Sequence, residues 1–154
     1  MKQLFNCLVL CLLTTLLGCE EKNLNNSDTT IEEYLERNQI ADYETTSSGL
    51  IYTVNKLGDG DFPIPGNTVT VHYTGYHLDD SKFDSSYGGA AFSFEIGKGN
   101  VIAGWDEGIA LFKTGGSGTL YIPWELGYGA TGSSSGSISP KEDIKFDINI
   151  IAID

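Results

Sequence analysis

The strongest constraint on the fold is the alternation of apolar and polar residues in TVTVHYTGY, residues 68–76. In an extended chain, Val69, Val71 and Tyr73 point to one face and the intervening residues to the other. Residues 144–153 alternate in the same way. Both segments predict half-buried antiparallel strands. Similar composition predicts further strands at residues 50–54, 92–96 and 118–123.

One segment in this region has helical periodicity instead. In VIAGWDEGIALF, residues 101–112, the apolar side chains of Ile102, Trp105, Ile109 and Phe112 recur at spacings of three and four. Several strands and one short helix in a region of this size favour an α+β domain. We therefore expect a curved antiparallel β-sheet wrapped around one short α-helix.

The N-terminus has the pattern of an export signal. Lys2 precedes an apolar run from Leu4 to Leu17, which has the length of a signal-peptide core and is too short to span a bilayer. The run ends in Leu-Leu-Gly-Cys, which resembles the bacterial lipobox, so Cys19 is expected to become the lipidated first residue. Two acyl chains there would hold a domain at a membrane. The alternative is an ordinary secretory signal with a cysteine near its end.

A polar tether and a short helix are predicted next. In DTTIEEYLERNQI, Thr29 or Thr30 stands three residues before Glu32 or Glu33, the spacing of a capping box. The helix is expected to pack on the domain or on nothing stable, because it has only about three turns. The predicted organisation is a lipoprotein signal peptide at 1–18, a tether and short helix at 19–45, and the folded domain at 46–154.

Charge and cysteine content argue against nucleic-acid binding and against a disulfide. The formal net charge is −12, with 9 basic against 21 acidic residues, so nucleic acid is not an expected partner. Of the three cysteines, Cys7 and Cys11 lie in the segment predicted to be removed, and Cys19 is predicted to carry lipid. The mature chain is therefore expected to contain no disulfide.

The sequence lacks the usual motifs of catalysis by a nucleophile, a metal or a cofactor. The two histidines, His72 and His77, have no neighbouring ligands at metal-site spacing, and there is no phosphate-binding loop or nucleophile elbow. Asp79 and Asp80 fit a turn better than an acid-base pair. We expect no metal and no cofactor. The remaining feature is an excess of aromatic residues among glycines. The sequence surroundings of several of these aromatic residues are not those expected for core packing alone.

Four segments resemble the FKBP-type peptidyl-prolyl cis-trans isomerases, in the family's order and with nearly its spacing. They are VHYTGYHLDDSKFDSS, VIAGWDEGIALF, LYIPWELGYGATG and IKFDINIIAID. The resemblance runs from about Thr46 to Asp154, and the start of that region is similar to bacterial secreted and lipoprotein members.

This resemblance implies an aromatic pocket that rotates X-Pro bonds. It places Trp105 at the floor, Phe83 and Asp84 along one side and Tyr128 at the rim. In the family, the backbone N–H at the position of Ile102 and the hydroxyl at that of Tyr128 bind ligand carbonyls, and Asp84 lies near the reacting amide and can bond to the Tyr73 hydroxyl. The expected catalytic residues are Tyr73, Phe83, Asp84, Trp105 and Tyr128, and the expected substrate-binding residues are Phe92, Val101, Ile102, Ile138 and Phe146.

An X-Pro isomerase makes and breaks no covalent bond, which is consistent with the absence of a nucleophile. The expected partners are proline-containing polypeptides, with macrolide inhibitors as a further ligand class. The chain is expected to be monomeric and to lie in the bacterial cell envelope, anchored by lipid to the outer membrane and facing either side of it. Two alternatives stay open: a tethered module that binds proline peptides without turnover, and a chaperone in which isomerisation is secondary.

The segment GSSSGSISP, residues 132–140, departs from the family pattern. Relatives often have a histidine and a short apolar tip after GATG, whereas three serines stand here. Ile138 is the one apolar side chain left to cover the pocket. We expect a more polar and more mobile flap, weaker binding of macrolides or a broader choice of residue before proline.

Overall fold

A computed structural model describes residues 29–154 of the chain. The predictions for residues 1–28, including the signal peptide and Cys19, lie outside the described residues. No helix within residues 29–154 has both the length and the apolar character that crossing a membrane requires.

The described chain forms one antiparallel sheet and two short α-helices. The elements are α1 (Ile31–Arg37), β1 (Glu44–Thr45), β2 (Ile51–Lys56), β3 (Thr68–His77), β4 (Lys82–Ser85), β5 (Phe92–Glu95), α2 (Ala103–Gly108), β6 (Ser117–Ile122) and β7 (Ile144–Ile153). One 3₁₀ turn, Ile109–Leu111, continues α2, and another, Gly129–Thr131, precedes β7. The strand order is β1-β2-β6-β7-β3-β4, and β5 pairs with the first half of β3. The predicted fold class is confirmed.

Alternation along β7 builds the core. Ile144, Phe146, Ile148 and Ile150 are buried on one face of that strand. They meet the helix residues Trp105, Ile109 and Phe112 and apolar side chains of the neighbouring strands. The sheet therefore wraps around α2, as the sequence pattern predicts.

Helix α2 is shorter than the predicted range of 101–112. Ile102 has an extended backbone, with φ −60° and ψ 149°, so the helix starts only at Ala103. Gly104 and Gly108 face β6, and a Cβ atom at Gly104 would lie 2.6 Å from the Ile122 side chain. The glycines allow the close approach of helix and strand, but they also lower the helix propensity of the segment.

Helix α1 packs on the other face of the sheet. Its capping box joins Thr30 and Glu33, one of the predicted pairings. Ile31, Tyr34 and Leu35 are buried against side chains of β2, β6 and the end of β3. Of the two expected alternatives, packing on the domain or on nothing stable, the helix therefore adopts the first. The partners of α1 in this cluster are Ile51 of β2, Tyr121 of β6 and Leu78, which directly follows β3.

A polar cluster ties α1 to the β3–β4 turn. The Tyr34 hydroxyl donates to Asp80 Oδ1 over 2.7 Å, and Lys145 Nζ contacts the same oxygen at 2.5 Å. Burial opposes ionisation of Asp80, but these two hydrogen bonds outweigh it and lower the pKa of the carboxyl. Burial likewise opposes the charge on Lys145, whose partners nevertheless raise its pKa. Arg37 adds a hydrogen bond of 2.7 Å to the carbonyl of Leu78.

Candidate active site

A cavity of about 400 Å³ opens between β3, β4, β5 and the start of α2. Eight of the ten residues predicted for the protein pocket line it, and Asn100, which the sequence analysis missed, joins them. The lining is Tyr73, Asp84, Phe92, Asn100, Val101, Ile102, Trp105, Tyr128 and Phe146.

Trp105 lies at the floor of this cavity and is 5 % exposed. Its ring meets Tyr73 edge to face at 4.9 Å and Phe146 at 5.1 Å between centroids. Phe92 closes another side, at 5.9 Å. Edge-to-face pairs of this kind fix the orientation of each ring. The indole N–H of Trp105 is buried and has no hydrogen-bond partner within residues 29–154.

Strands β3 and β4 bring Tyr73 and Asp84 together at the edge of the cavity. The Tyr73 hydroxyl donates to Asp84 Oδ2 over 2.7 Å, as the family resemblance suggested. Asp84 Oδ1 accepts the backbone N–H of Ser85 at 2.8 Å. Burial, reinforced by the neighbouring carboxylate, raises the pKa of Tyr73 well above its ordinary value. Tyr73 is therefore a neutral donor at physiological pH, and the carboxylate is held in one orientation.

Tyr128 reaches the cavity from the loop after β6. The backbone N–H of the next residue, Gly129, donates to the carbonyl of Trp124 over 2.8 Å. Gly129 has φ +70°, a conformation that favours glycine. Burial raises the pKa of the Tyr128 hydroxyl, and the charge on Asp84 adds to the effect. Tyr128 therefore also stays protonated at neutral pH and can donate a hydrogen bond.

The loop before α2 is held by Asp106. Its two carboxylate oxygens accept the backbone N–H groups of Gly97 and Gly99, at 2.9 and 2.8 Å. The held loop leads directly into Asn100, Val101 and Ile102 on the cavity wall. This role could not be predicted from the sequence, since an aspartate in the first turn of a helix is equally well explained by the helix dipole.

Phe83 and Ile138 lie beside the cavity rather than in it. Both line an adjoining groove of about 390 Å³, which shares Asp84 and Tyr128 with the main cavity. Phe83 packs edge to face on Phe146, at 5.4 Å. A Cβ atom at Gly75 would lie 2.6 Å from the Phe83 ring, so only glycine leaves room for the ring on this strand.

The serine-rich segment forms the other wall of this groove. Ile138 is 3 % exposed and belongs to the main core rather than to an exposed tip. Its backbone N–H donates to Ser133 Oγ over 2.9 Å, and its carbonyl accepts from the Ser133 N–H over 3.0 Å. The hydroxyls of Ser133, Ser135 and Ser137 lie within 3.2 Å of one another. The segment is polar, as expected, and is closed by its own hydrogen bonds.

Within residues 29–154, no cluster of three or more histidine, cysteine, aspartate or glutamate side chains could hold a metal ion. What the cavity offers is an aromatic enclosure with fixed hydrogen-bonding groups at its edge.

Comparison with known proteins gives a consistent result. Residues 60–151 match the family model described as FKBP-type peptidyl-prolyl cis-trans isomerase. FK506-binding protein 1 of Dictyostelium discoideum is 41% identical over 104 residues, which cover 67% of this chain and 96% of that protein. The Escherichia coli isomerase FkpA is 36% identical over 135 residues, covering 86% of this chain and 48% of the relative.

Solved structures agree in fold. The crystal structure of FkpA from Escherichia coli matches with a TM-score of 0.71 and 37% identity, covering 79% of this chain and 56% of that one. The crystal structure of AtFKBP13 matches with a TM-score of 0.69 and 36% identity, covering 73% and 98%. The chain spans about half the length of the bacterial FkpA relatives. The family predicted from the four sequence segments is confirmed: the chain belongs to the FKBP-type peptidyl-prolyl cis-trans isomerases.

Proposed function

We propose that this chain accelerates cis-trans rotation of X-Pro bonds in polypeptides by enclosing the proline in the aromatic cavity, with no covalent intermediate. The observation that carries the proposal is the arrangement of three aromatic rings, those of Tyr73, Phe92 and Phe146, around Trp105, with Tyr128 and Asp84 at the edge. Such a site encloses an apolar ring while leaving the flanking peptide groups near polar partners.

The chemistry needs only a change of environment and shape. A planar amide is stabilised by resonance that separates charge, and rotation by about 90° removes that resonance. Water stabilises the planar, more polar form, so transfer of the bond to an aromatic cavity lowers the free-energy cost of twisting. A wall shaped for the twisted form then binds it better than either planar isomer.

The magnitude required is modest. The uncatalysed barrier is about 18–20 kcal/mol, and each tenfold acceleration requires about 1.4 kcal/mol. An acceleration of about 10⁴ therefore requires about 5–6 kcal/mol. Desolvation of the amide together with a few oriented hydrogen bonds has this magnitude.

Two donors at the cavity are placed for substrate carbonyls. The Tyr128 hydroxyl is protonated at neutral pH because burial raises its pKa. The backbone N–H of Ile102, at the start of α2, donates to no acceptor within residues 29–154. A peptide carbonyl on either side of the proline would satisfy these donors and hold the reacting bond against the aromatic floor.

Tyr73 offers the sharpest test of the site. We expect Tyr73→Phe to lower kcat/KM for a proline peptide by about tenfold or more, because the hydroxyl fixes Asp84 at the cavity edge. Tyr52→Phe is the matched control, since the Tyr52 hydroxyl donates to Glu44 over 2.6 Å at an exposed place outside the cavity. NMR exchange measurements on peptides with varied residues before proline give the rates. Equal activity in both variants would refute the role of Tyr73.

The same measurements separate an enzyme from a binding module. Phe83→Ala and Asp84→Ala, checked for folding by circular dichroism, should each reduce the isomerisation rate. A wild-type protein that binds the peptides but leaves their exchange rate unchanged would instead support a module that holds proline-containing chains without turnover.

Attachment to the cell envelope is a further part of the proposal. The motif Leu16-Leu17-Gly18-Cys19 supports lipidation of Cys19 and a lipid-anchored chain with the domain outside the cytoplasm. The chain is further proposed to be monomeric. Cells grown with a labelled fatty acid should incorporate label into the wild-type chain and not into Cys19→Ala, and the variant should leave the membrane fraction. Light scattering on the mature domain tests the monomeric state.

The polar groove supports a finer proposal on ligand preference. The wall formed by Ser133, Ser135 and Ser137 presents less apolar surface than a short apolar tip would. We therefore expect weaker binding of macrolide inhibitors, and replacement of this segment by a histidine followed by a shortened apolar tip should strengthen it. Unchanged inhibitor affinity and unchanged peptide preference would argue against this.

A further inference from the structure

Glu142 is a buried carboxylate that the isomerisation chemistry does not use. It lies between the serine-rich segment and β7, and it is 1 % exposed. Its Oε1 contacts His77 Nδ1, and its Oε2 accepts the backbone N–H of Ser139 over 2.6 Å. A carboxylate at this depth is tolerated only with such partners. The two contacts join parts of the chain that are far apart in sequence.

His77, the last residue of β3, carries the contact to the groove. Its backbone N–H donates to the Ser81 carbonyl over 2.9 Å, which fixes the hairpin that leads into β4. Its ring meets Phe83 at 5.1 Å between centroids, with an interplanar angle of 66°. Since Phe83 also packs on Phe146, its ring is held from two sides.

The other arm of Glu142 fixes the opposite wall of the groove. Ser139 directly follows Ile138, whose backbone makes both hydrogen bonds to Ser133. Glu142 therefore holds the end of the serine-rich segment while His77 holds Phe83. The pair thus connects the Phe83 wall with the end of the serine-rich wall, and the groove between them adjoins the main cavity through Asp84 and Tyr128.

We propose that His77 and Glu142 are positioning residues that hold the Phe83 wall and the serine-rich wall apart at the width needed to bind the residue next to the proline. This inference rests on the isomerase site proposed above. Neither side chain lines the cavity or the groove, so both act through Phe83 and Ser139.

The expected signature is a change in KM rather than in kcat. A contact to the flanking residue is made in the bound substrate and in the twisted state alike, so its loss weakens binding without slowing the bound reaction. His77→Leu and Glu142→Ala should each raise KM about tenfold or more for peptides with a large residue before proline. The increase should be smaller for alanine at that position, and kcat should stay within about threefold.

Conservative variants supply the rescue. An asparagine at 77 has an amide N–H close to the place of Nδ1 and can still donate to Glu142. A glutamine at 142 keeps an acceptor for the Ser139 N–H, and its amide N–H can donate to His77 Nδ1 in the ring tautomer in which that atom accepts. Glu142→Gln should therefore keep KM within about threefold of wild type. His77→Asn keeps the contact to Glu142 but loses the ring that packs on Phe83, so its KM should lie between those of wild type and His77→Leu.

The double variant His77→Leu/Glu142→Ala keeps the test decisive if a single variant does not fold. His77→Leu alone leaves a buried carboxyl group without one of its two partners, whereas the double variant removes that group. The double variant should therefore be more stable than His77→Leu and yet keep the raised KM, because the Ser139 N–H still lacks its acceptor.

His72→Leu is the matched control. His72 lies on the same strand, and its Nδ1 contacts Ser86 Oγ at 3.0 Å, while its ring stacks on Tyr87 at 4.8 Å. It alternates with Tyr73 and so faces the other side of the sheet. This variant should leave KM unchanged for every peptide.

The readouts are KM and kcat from NMR exchange and the peptide Kd from titration, each with a series of residues before proline. Equal losses for all peptides, or a lower melting temperature with unchanged KM and Kd, would overturn the inference. A wild-type chain that binds peptides without isomerising them would refute the proposed function alone, and the Kd series would still decide the role of the pair. A wild-type chain that neither binds nor isomerises would overturn both.

Discussion

Removal of the Leu35 side chain tests whether α1 is part of the folded domain in solution. Leu35 is 3 % exposed, in the cluster that α1 forms with Ile51, Leu78 and Tyr121. Leu→Ala at a buried site costs about 2–5 kcal/mol. The lower part of this range, about 2–3 kcal/mol, applies here, because α1 can detach locally and so limits the loss. This corresponds to a melting temperature lower by about 8–15 °C.

Urea unfolding followed by tryptophan fluorescence gives the free energy of unfolding. Glu36→Ala is the matched control, since Glu36 is exposed on the same helix, and it should change the free energy by less than about 0.5 kcal/mol. The cluster does not line the cavity, so both variants should keep wild-type isomerase activity. A Leu35→Ala variant as stable as the control would refute the packing of α1 on the sheet.

Tyr128→Phe should lower kcat/KM by about tenfold with little change in stability, because it removes the proposed donor to the substrate and no hydrogen bond within the domain. Gly75→Ala should abolish activity or folding, since its Cβ would lie 2.6 Å from the Phe83 ring; normal activity on X-Pro peptides would contradict the tight packing of this wall. Asp80 contributes to stability above the ordinary carboxyl pKa of 3.8, and this contribution is lost as pH falls through the lowered pKa of the folded state. Lys145 contributes below its ordinary pKa of 10.5, and this contribution is lost as pH rises through the raised pKa of the folded state. Asp80→Asn should therefore destabilise the protein between about pH 5 and pH 9 and have a smaller effect near pH 3 in thermal melts; an effect that does not depend on pH would exclude this ion pair as its cause.

The long strands and the fold class followed from local pattern alone. Strand β7 was predicted with its observed bounds, and β3 with one residue fewer, because both alternate over ten residues. Strands β1 and β4 were not individually predicted. Two and four residues are too few for a periodicity to appear, and both strands form by pairing with a longer neighbour.

The residues of the candidate site were likewise predictable from the sequence only in part. Most lining residues could be inferred because the family resemblance covers continuous segments around Tyr73, Trp105 and Tyr128. The pair of His77 and Glu142 could not, since 65 positions separate them and neither has a local pattern that predicts a partner. Ile138, which was expected to cover the pocket, is buried in the core and lines the adjoining groove, a position that its sequence context did not indicate.

The place of β7 in the sheet has a consequence for how the chain is made. This last strand lies between β6 and β3, and it pairs with residues that precede it by between about 20 and 80 positions. The ribosome must therefore have released β7 before the centre of the sheet can form, and pairing at such separations is slow. Phe146 enters the cavity wall only at that stage. The cavity is therefore completed only when residues far apart in the sequence have paired, so its formation depends on closure of the whole sheet.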